Sequence, residues 1–165
     1  MIRRVFVFLL FLTAALPAAR AKDACQLITA DDVKAALGTD VQKAPPTMLP
    51  PSSPGLEYSM CRFKAPAGKA TVSLLARYAT SRPNDSIPDL IAQQRAQKMP
   101  NVREVKGVGD GAMASSSMVL GKNMYQLTFY KGKYIFLLIT IDSKMDDAAA
   151  ERAARALAAK ILPRA

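Results

Sequence analysis

Residues Met124 to Ile141, reading MYQLTFYKGKYIFLLITI, constrain this chain more than any other stretch. They read as two strands joined at Lys131-Gly132, an X-Gly pair suited to a two-residue type I′ turn. Glycine takes the positive φ of such a turn without a Cβ clash. That turn sets Phe129 opposite Tyr134, Leu127 opposite Phe136 and Tyr125 opposite Leu138. One face is then almost wholly aromatic and aliphatic, and it must meet helices or another sheet. The other face sets Met124, Gln126, Thr128 and Tyr130 against Ile139, Leu137, Ile135 and Lys133, and is only half apolar.

The first 21 residues read as a cleaved signal peptide. Arg3 and Arg4 are a basic start, Val5 to Leu16 an apolar run, and Ala19-Arg20-Ala21 a small-residue cleavage site. The run is shorter than the roughly 20 apolar residues that cross a bilayer. No lipobox precedes Cys25, because Lys22-Asp23-Ala24 is charged. The expectation is a periplasmic or secreted protein starting at Lys22, one domain over residues 22–165.

Loss of Arg3, Arg4 and Arg20 takes the net charge from +10 to +7. A basic exported protein is expected among anionic partners such as lipid headgroups, cell-wall polymers or an acidic envelope protein. Nucleic acid matches the charge equally well, but an exported protein rarely meets it. Cys25 and Cys61 are the two cysteines, and an even pair in an oxidising compartment reads as one disulfide. Their spacing is not Cys-x-x-Cys, which argues against redox chemistry.

Along the chain, Thr29 caps a short helix whose first turn holds Asp31 and Asp32. Ile28 and Val33 can form a hydrophobic staple across that cap, Ala36 and Leu37 continue the buried stripe, and Gly38 stops it. Residues 44–55 hold five prolines and are expected to be an extended loop rather than a strand. Strands are predicted over 58–64, 71–78, 102–105 and 112–120, with a turn at Gly121-Lys122-Asn123 leading into the opening hairpin. Ser86-Ile-Pro-Asp89 opens a second helix, with Ile87, Leu90, Ile91 and Gln94 on one face. Ala150, Ala153, Ala154, Leu157, Ala158 and Ile161 form one continuous helical stripe, the clearest periodicity in the chain.

Little in the sequence points to catalysis. Histidine is absent, which removes the commonest general base and metal ligand and rules out a histidine-dependent triad. Gly107-Val-Gly-Asp-Gly111 lacks the following helix and the Gly-Lys-Ser/Thr of a phosphate loop. It reads as a tight turn in which Asp110 bonds local amides. Helix starts explain Asp31, Asp32, Asp89, Asp146 and Asp147. A carboxylate-pair hydrolase would have to draw on Glu57, Glu104, Asp110 and Asp142, two of which would need to lie within about 10 Å. No calcium loop, other metal site or cofactor motif is present, so none is expected.

The Cys25-to-Gly38 helix with its cysteine, Cys61-Arg-Phe63, Gly107-Val-Gly-Asp-Gly-Ala112, the closing hairpin and the alanine-rich helix together carry a resemblance. The chain resembles a group of small exported bacterial cell-envelope domains of unknown function, of secreted or lipoprotein type, and more weakly the ectodomains of bacterial sensor kinases. The resemblance implies an antiparallel sheet backed by helices, a disulfide joining the first helix to a strand, and no catalytic residues. The chain departs from the lipoprotein members in lacking a lipobox cysteine.

The expected fold is α+β, a twisted antiparallel sheet of five to six strands with three helices, the last on the aromatic hairpin face. The expected function is non-catalytic binding, with Ile135, Leu137 and Ile139 as the candidate binding face because a two-layer fold would leave them wet. The alternatives are the envelope-polymer hydrolase and a structural envelope protein that binds acidic polymers through its lysines.

Overall fold

The computed structural model describes residues 22–45, 47–49, 55–79 and 86–165. The expected leader, residues 1–21, lies outside them, as do residues 46 and 50–54 of the proline-rich stretch.

Two short helices open the fold, α1 (Ala24–Leu27) and α2 (Ala30–Leu37). Thr29 and Asp32 close a capping box around α2, each side chain bonded to the other's backbone amide, which satisfies donors that a helix start leaves open. Ile28 and Val33 are both buried across that cap, and Gly38 ends α2 at φ +67. α1 is an added turn, capped by Asp23, where the sequence suggested a single helix.

The strands are β1 (Gln42–Lys43), β2 (Thr47–Leu49), β3 (Leu56–Lys64), β4 (Ala70–Ala79), β5 (Arg103–Glu104), β6 (Gly111–Val119), β7 (Lys122–Lys131) and β8 (Tyr134–Asp142). They form one antiparallel sheet in the order β1-β3-β4-β8-β7-β6-β5, with β2 also paired to β3. The strand count exceeds the expected five to six because of β1 and β2. Both fall on the edge of β3, the position where a proline-rich segment can pair without its missing amides disrupting a ladder. The stretch expected to be loop throughout is therefore partly strand, with Thr47 to Leu49 opposite Met60 to Tyr58.

The hairpin registers differ from expectation by one turn position. Lys131 pairs with Tyr134, so the β7–β8 loop is Gly132-Lys133, and Phe129 faces Phe136. Glycine takes the first loop position at φ +55, as a type II′ turn allows, instead of the second. Each partner moves by two residues, so every side chain keeps its face. The β6–β7 loop is Leu120-Gly121, not Gly121 to Asn123.

One sheet face is the core. Cys61, Phe63, Val72, Leu74, Tyr125, Leu127, Phe129, Phe136 and Leu138 are fully buried there. α4 (Asp147–Ile161) lies on this face against β7 and β8, and all six stripe residues from Ala150 to Ile161 are buried. Alanines let its backbone come close to the sheet, while Leu157 and Ile161 fill the space between. Cys25 and Cys61 form the disulfide, tying α1 to β3. The Ala24 amide donates to the buried Ser59 hydroxyl two residues away on the same strand, at 2.7 Å. α3 (Ile87–Ala96) alone among the helices sits on the opposite face, beside β5 and β6.

Candidate functional site

The opposite face is built from cross-strand rows. Tyr58, Arg77, Ile135, Tyr130 and Gly111 form one row from β3 to β6. Met60, Leu75, Leu137, Thr128 and Met113 form the next, and Ile139 sits in a third between Ser73 and Gln126. The candidate residues Ile135, Leu137 and Ile139 are thus in line along β8, at the centre of the sheet. All three are half-buried, neither sealed in the core nor wet.

α3 stands over the first two rows. Its start is fixed by Ser86, whose hydroxyl accepts from the Asp89 amide. Ile87 rests on Gly111, so closely that a Cβ at Gly111 would lie 2.9 Å from Ile87 Cγ1. No α3 residue is fully buried, so the helix is held by the edges of a few apolar side chains. Between it and the sheet runs a groove of about 270 Å³. Leu90 and Gln94 form its roof, with Leu75, Met113, Ile135 and Leu137 on its floor and Tyr58, Arg77, Thr128 and Tyr130 among its remaining walls. Ile139 lies one row beyond it.

Arg77 gives the groove its polarity. Its guanidinium carbon lies 6.0 Å from the centre of the Tyr58 ring, within cation–π range. Its Nε is buried and has no hydrogen-bond partner among the described residues. A buried donor without an acceptor is costly. Strand alternation puts Arg77 on this face but does not reveal that its Nε is buried.

A larger cleft of about 660 Å³ opens at the other end of the sheet. Its polar groups are bonded to one another. Ser116 Oγ donates to Asp147 at 2.6 Å, and Asn123 donates to the second Asp147 oxygen at 2.9 Å. Asn101 donates to Ser116 Oγ, and the bonds from Ser116 and Asn123 hold the Asp147 carboxyl below its usual range. These bonds fasten the start of α4 to the sheet.

A third polar group links the sheet to the middle of α4. Arg103 bonds Glu151 and stacks over Tyr125, 5.7 Å from its ring centre, and Arg155 bonds the second Glu151 oxygen at 2.9 Å. Burial raises the Glu151 carboxyl, but the bonds from Arg103 and Arg155 outweigh it and leave the group lowered. Burial also pushes the Tyr125 hydroxyl up to about 12. Every charge in this cluster has a partner.

The four leftover acids are spread over three strands and a turn. Glu57 is on β3 and Glu104 on β5, towards opposite margins of the sheet. Five strand spacings separate those strands, about 24 Å. Asp110 accepts from the Gly132 amide at 2.7 Å, so it braces the distant β7–β8 turn and not the local amides expected of it. Asp142 is at the far end of β8 from that turn. Among the described residues, no three acidic or cysteine side chains converge to hold a metal ion.

No protein-family model matches the chain, and no curated protein matches it. Among solved structures it is similar to the extracellular domain of PknH from Mycobacterium tuberculosis. That likeness has a TM-score of 0.57 at 12% identity and covers 88% of this chain and 97% of that one. A weaker likeness, with a TM-score of 0.39 at 13% identity, is to an uncharacterized protein from Mycobacterium smegmatis, over 82% of this chain and 95% of that one. At such identities the first likeness speaks for the fold alone.

Proposed function

We propose that the protein is a non-catalytic binding module of the cell envelope, exported by residues 1–21 and acting outside the cytoplasm. The groove beneath α3 is its binding site, and Ile135 and Leu137 form the floor. The ligand is a small amphipathic molecule whose apolar body lies along β8 and whose anionic group meets Arg77. The observation that carries this reading is the buried Arg77 Nε, without a hydrogen-bond partner among the described residues, beside half-buried aliphatic side chains in a cavity roofed by a helix with no fully buried residue. The disulfide is in keeping with an oxidising compartment, and the fold is similar to that of an extracellular domain.

The test is binding of dansylaminoundecanoic acid, a fluorescent amphipathic anion, with decanoate and decanol as competitors. Saturable binding that decanoate displaces better than decanol is expected. Leu137→Asp should abolish it, and Arg77→Met should remove the preference for decanoate. Absence of saturable binding, or binding that Leu137→Asp leaves intact, would refute the reading.

A second reading is a structural protein that holds acidic polymers on its lysines, which the +7 balance of residues 22–165 favours. Its mark would be salt-sensitive binding to cell-wall material that Leu137→Asp does not affect.

A further inference from the structure

Met118, Val119 and Leu120 are the exposed large hydrophobic side chains among the described residues, at 69%, 38% and 96%. They are consecutive and form the tip of the β6–β7 hairpin. Leu120 occupies the first position of the two-residue turn at φ +49, followed by Gly121 at φ +72. Two positive φ values are the mark of a type I′ turn, whose first position favours asparagine, aspartate or glycine. Leucine there is strained by its Cβ, and at 96% exposure it recovers almost nothing from contacts within the chain. A residue that breaks both the turn rule and the burial rule without local compensation points to a use outside the fold.

Four lysines, Lys64, Lys69, Lys122 and Lys144, lie at the tip's end of the sheet, against three acids, Asp142, Asp146 and Asp147. The turn between β3 and β4 lies beside it, since Lys122 Nζ donates to the Gly68 carbonyl at 2.6 Å. Lys64 ends β3, Lys69 precedes β4 and Lys144 follows β8, all exposed and all at this end of the sheet. The acids nearby keep their charge but are held in place by local bonds. Asp142 accepts from the Lys144 amide, Asp146 caps α4, and Asp147 is bonded to Ser116 and Asn123.

We infer that the β6–β7 tip and the lysines around it are a docking edge for an anionic phospholipid surface. The tip is a hairpin turn rather than a broad face, with Met118 and Gly121 also bordering the cleft of about 660 Å³, and so suits insertion among headgroups. Met118 and Leu120 would enter the boundary between headgroup and acyl chain. Lys64, Lys69 and Lys144 would remain at phosphate level, their stems lying along the apolar tip. The groove beneath α3 is at the other end of the sheet, about 27 Å away along β7 by strand rise. Docking at the tip therefore leaves the groove open, and the two sites are independent.

The experiment is co-sedimentation of the protein, expressed from its full chain and purified, with phosphatidylcholine vesicles with or without phosphatidylglycerol. Binding is expected only with the anionic lipid, falling as salt rises. Leu120→Asp should weaken it roughly ten- to a hundredfold, the range set by losing one leucine's burial. The pair Lys69→Gln and Lys144→Gln should weaken it without affecting decanoate binding in the groove. Leu120→Asn suits the turn and serves as the folded control, with a loss close to that of Leu120→Asp. Anionic-vesicle binding unchanged in Leu120→Asn would overturn the inference, as would equal binding to neutral vesicles. Capture of a protein or cell-wall polymer through this tip, without vesicle binding, would overturn it too.

Discussion

Arg164, next to the last residue of the chain, grips Asp32 in the first turn of α2, with its two terminal nitrogens 2.5 and 3.3 Å from the two carboxylate oxygens. The same guanidinium donates to the Leu27 carbonyl at 3.1 Å, so it closes the gap between α1 and α2 from outside. The bond from Arg164 is the main reason that the Asp32 carboxyl sits at about 2, below its ordinary 3.8. A carboxyl lowered by folding adds stability above its unfolded value and loses it as pH falls through its folded one. Here that window runs from about pH 4 to pH 2. A shift of this size corresponds to about 2.4 kcal/mol in full. Arg164 is 37% exposed, and solvent screening reduces the expected share to about 1 kcal/mol. Asp32→Asn should lower stability at neutral pH by that amount and flatten the acid limb between pH 4 and 2. Denaturant titrations at several pH values would show it.

The disulfide should contribute more. It spans 36 residues between Cys25 and the fully buried Cys61, a loop for which chain entropy gives about 4 kcal/mol. In a domain of this size, reduction should lower the melting temperature by roughly 10–15 °C. Unchanged melting in strong reductant, checked by thiol counting, would contradict this. The α1 amides should also exchange faster once the bond is open, because the Ala24 bond to Ser59, the Arg164 bond to Leu27 and the burial of Ala24 and Leu27 would then hold that turn without it.

Much of this architecture is legible in the residues themselves. The Ala150–Ile161 stripe announces a helix with one apolar side, and the aromatic face of residues 124–141 announces the sheet it covers. Thr29 and Ser86 mark helix starts because capping is a local matter of one hydroxyl and one amide. Where the loop falls around Gly132 is less legible, since glycine suits either loop position and both registers keep the same faces. The edge strand β2 is hidden by prolines, which read as breaks unless an exposed edge is known to be available, and β1 is only two residues long. The groove is the least legible feature. Ile135, Leu137 and Ile139 can be picked out as an unmatched apolar set, but their half-burial and the burial of the Arg77 Nε depend on how the whole face packs.

Gly109 should be among the least replaceable residues. It is at φ +57, and a Cβ there would lie 2.1 Å from the Tyr130 carbonyl oxygen, the same oxygen that accepts from the Asp110 amide. Gly109→Ala must shift either the Gly107–Gly111 turn or β7, at a cost of about 3 kcal/mol. Gly107 is also at positive φ, but a Cβ there meets nothing within 4 Å. Gly107→Ala should therefore cost only the backbone strain, about 1 kcal/mol. Equal midpoints for the two variants in guanidinium would show that packing at Tyr130 does not matter.

α3 should be the most readily opened helix of its length. It has no fully buried residue, against six in α4. Amide exchange across residues 87–96 should be faster than across 147–161 by orders of magnitude, as expected for a segment with a low local opening energy. Gly111→Ala should speed it further, because the new methyl would push Ile87 from its seat. Exchange in α4 should hardly change. Equal protection in the two helices would mean that α3 is clamped and the groove closed.

The hairpin tip makes the last prediction, one in which stability and binding move in opposite directions. Leu120 holds a left-handed backbone that suits asparagine better, and its side chain is 96% exposed. Leu120→Asn should therefore stabilise the fold by about 0.5–1 kcal/mol, since the strain disappears and no internal contact is lost. An ordinary surface residue would give that gain at no cost to any other property. At this tip the same substitution should remove most of the affinity for anionic vesicles, because the leucine would no longer enter the lipid boundary. Guanidinium denaturation and vesicle sedimentation on one preparation would measure both effects. A gain in stability with vesicle binding intact would reduce Leu120 to a poor turn residue and nothing more.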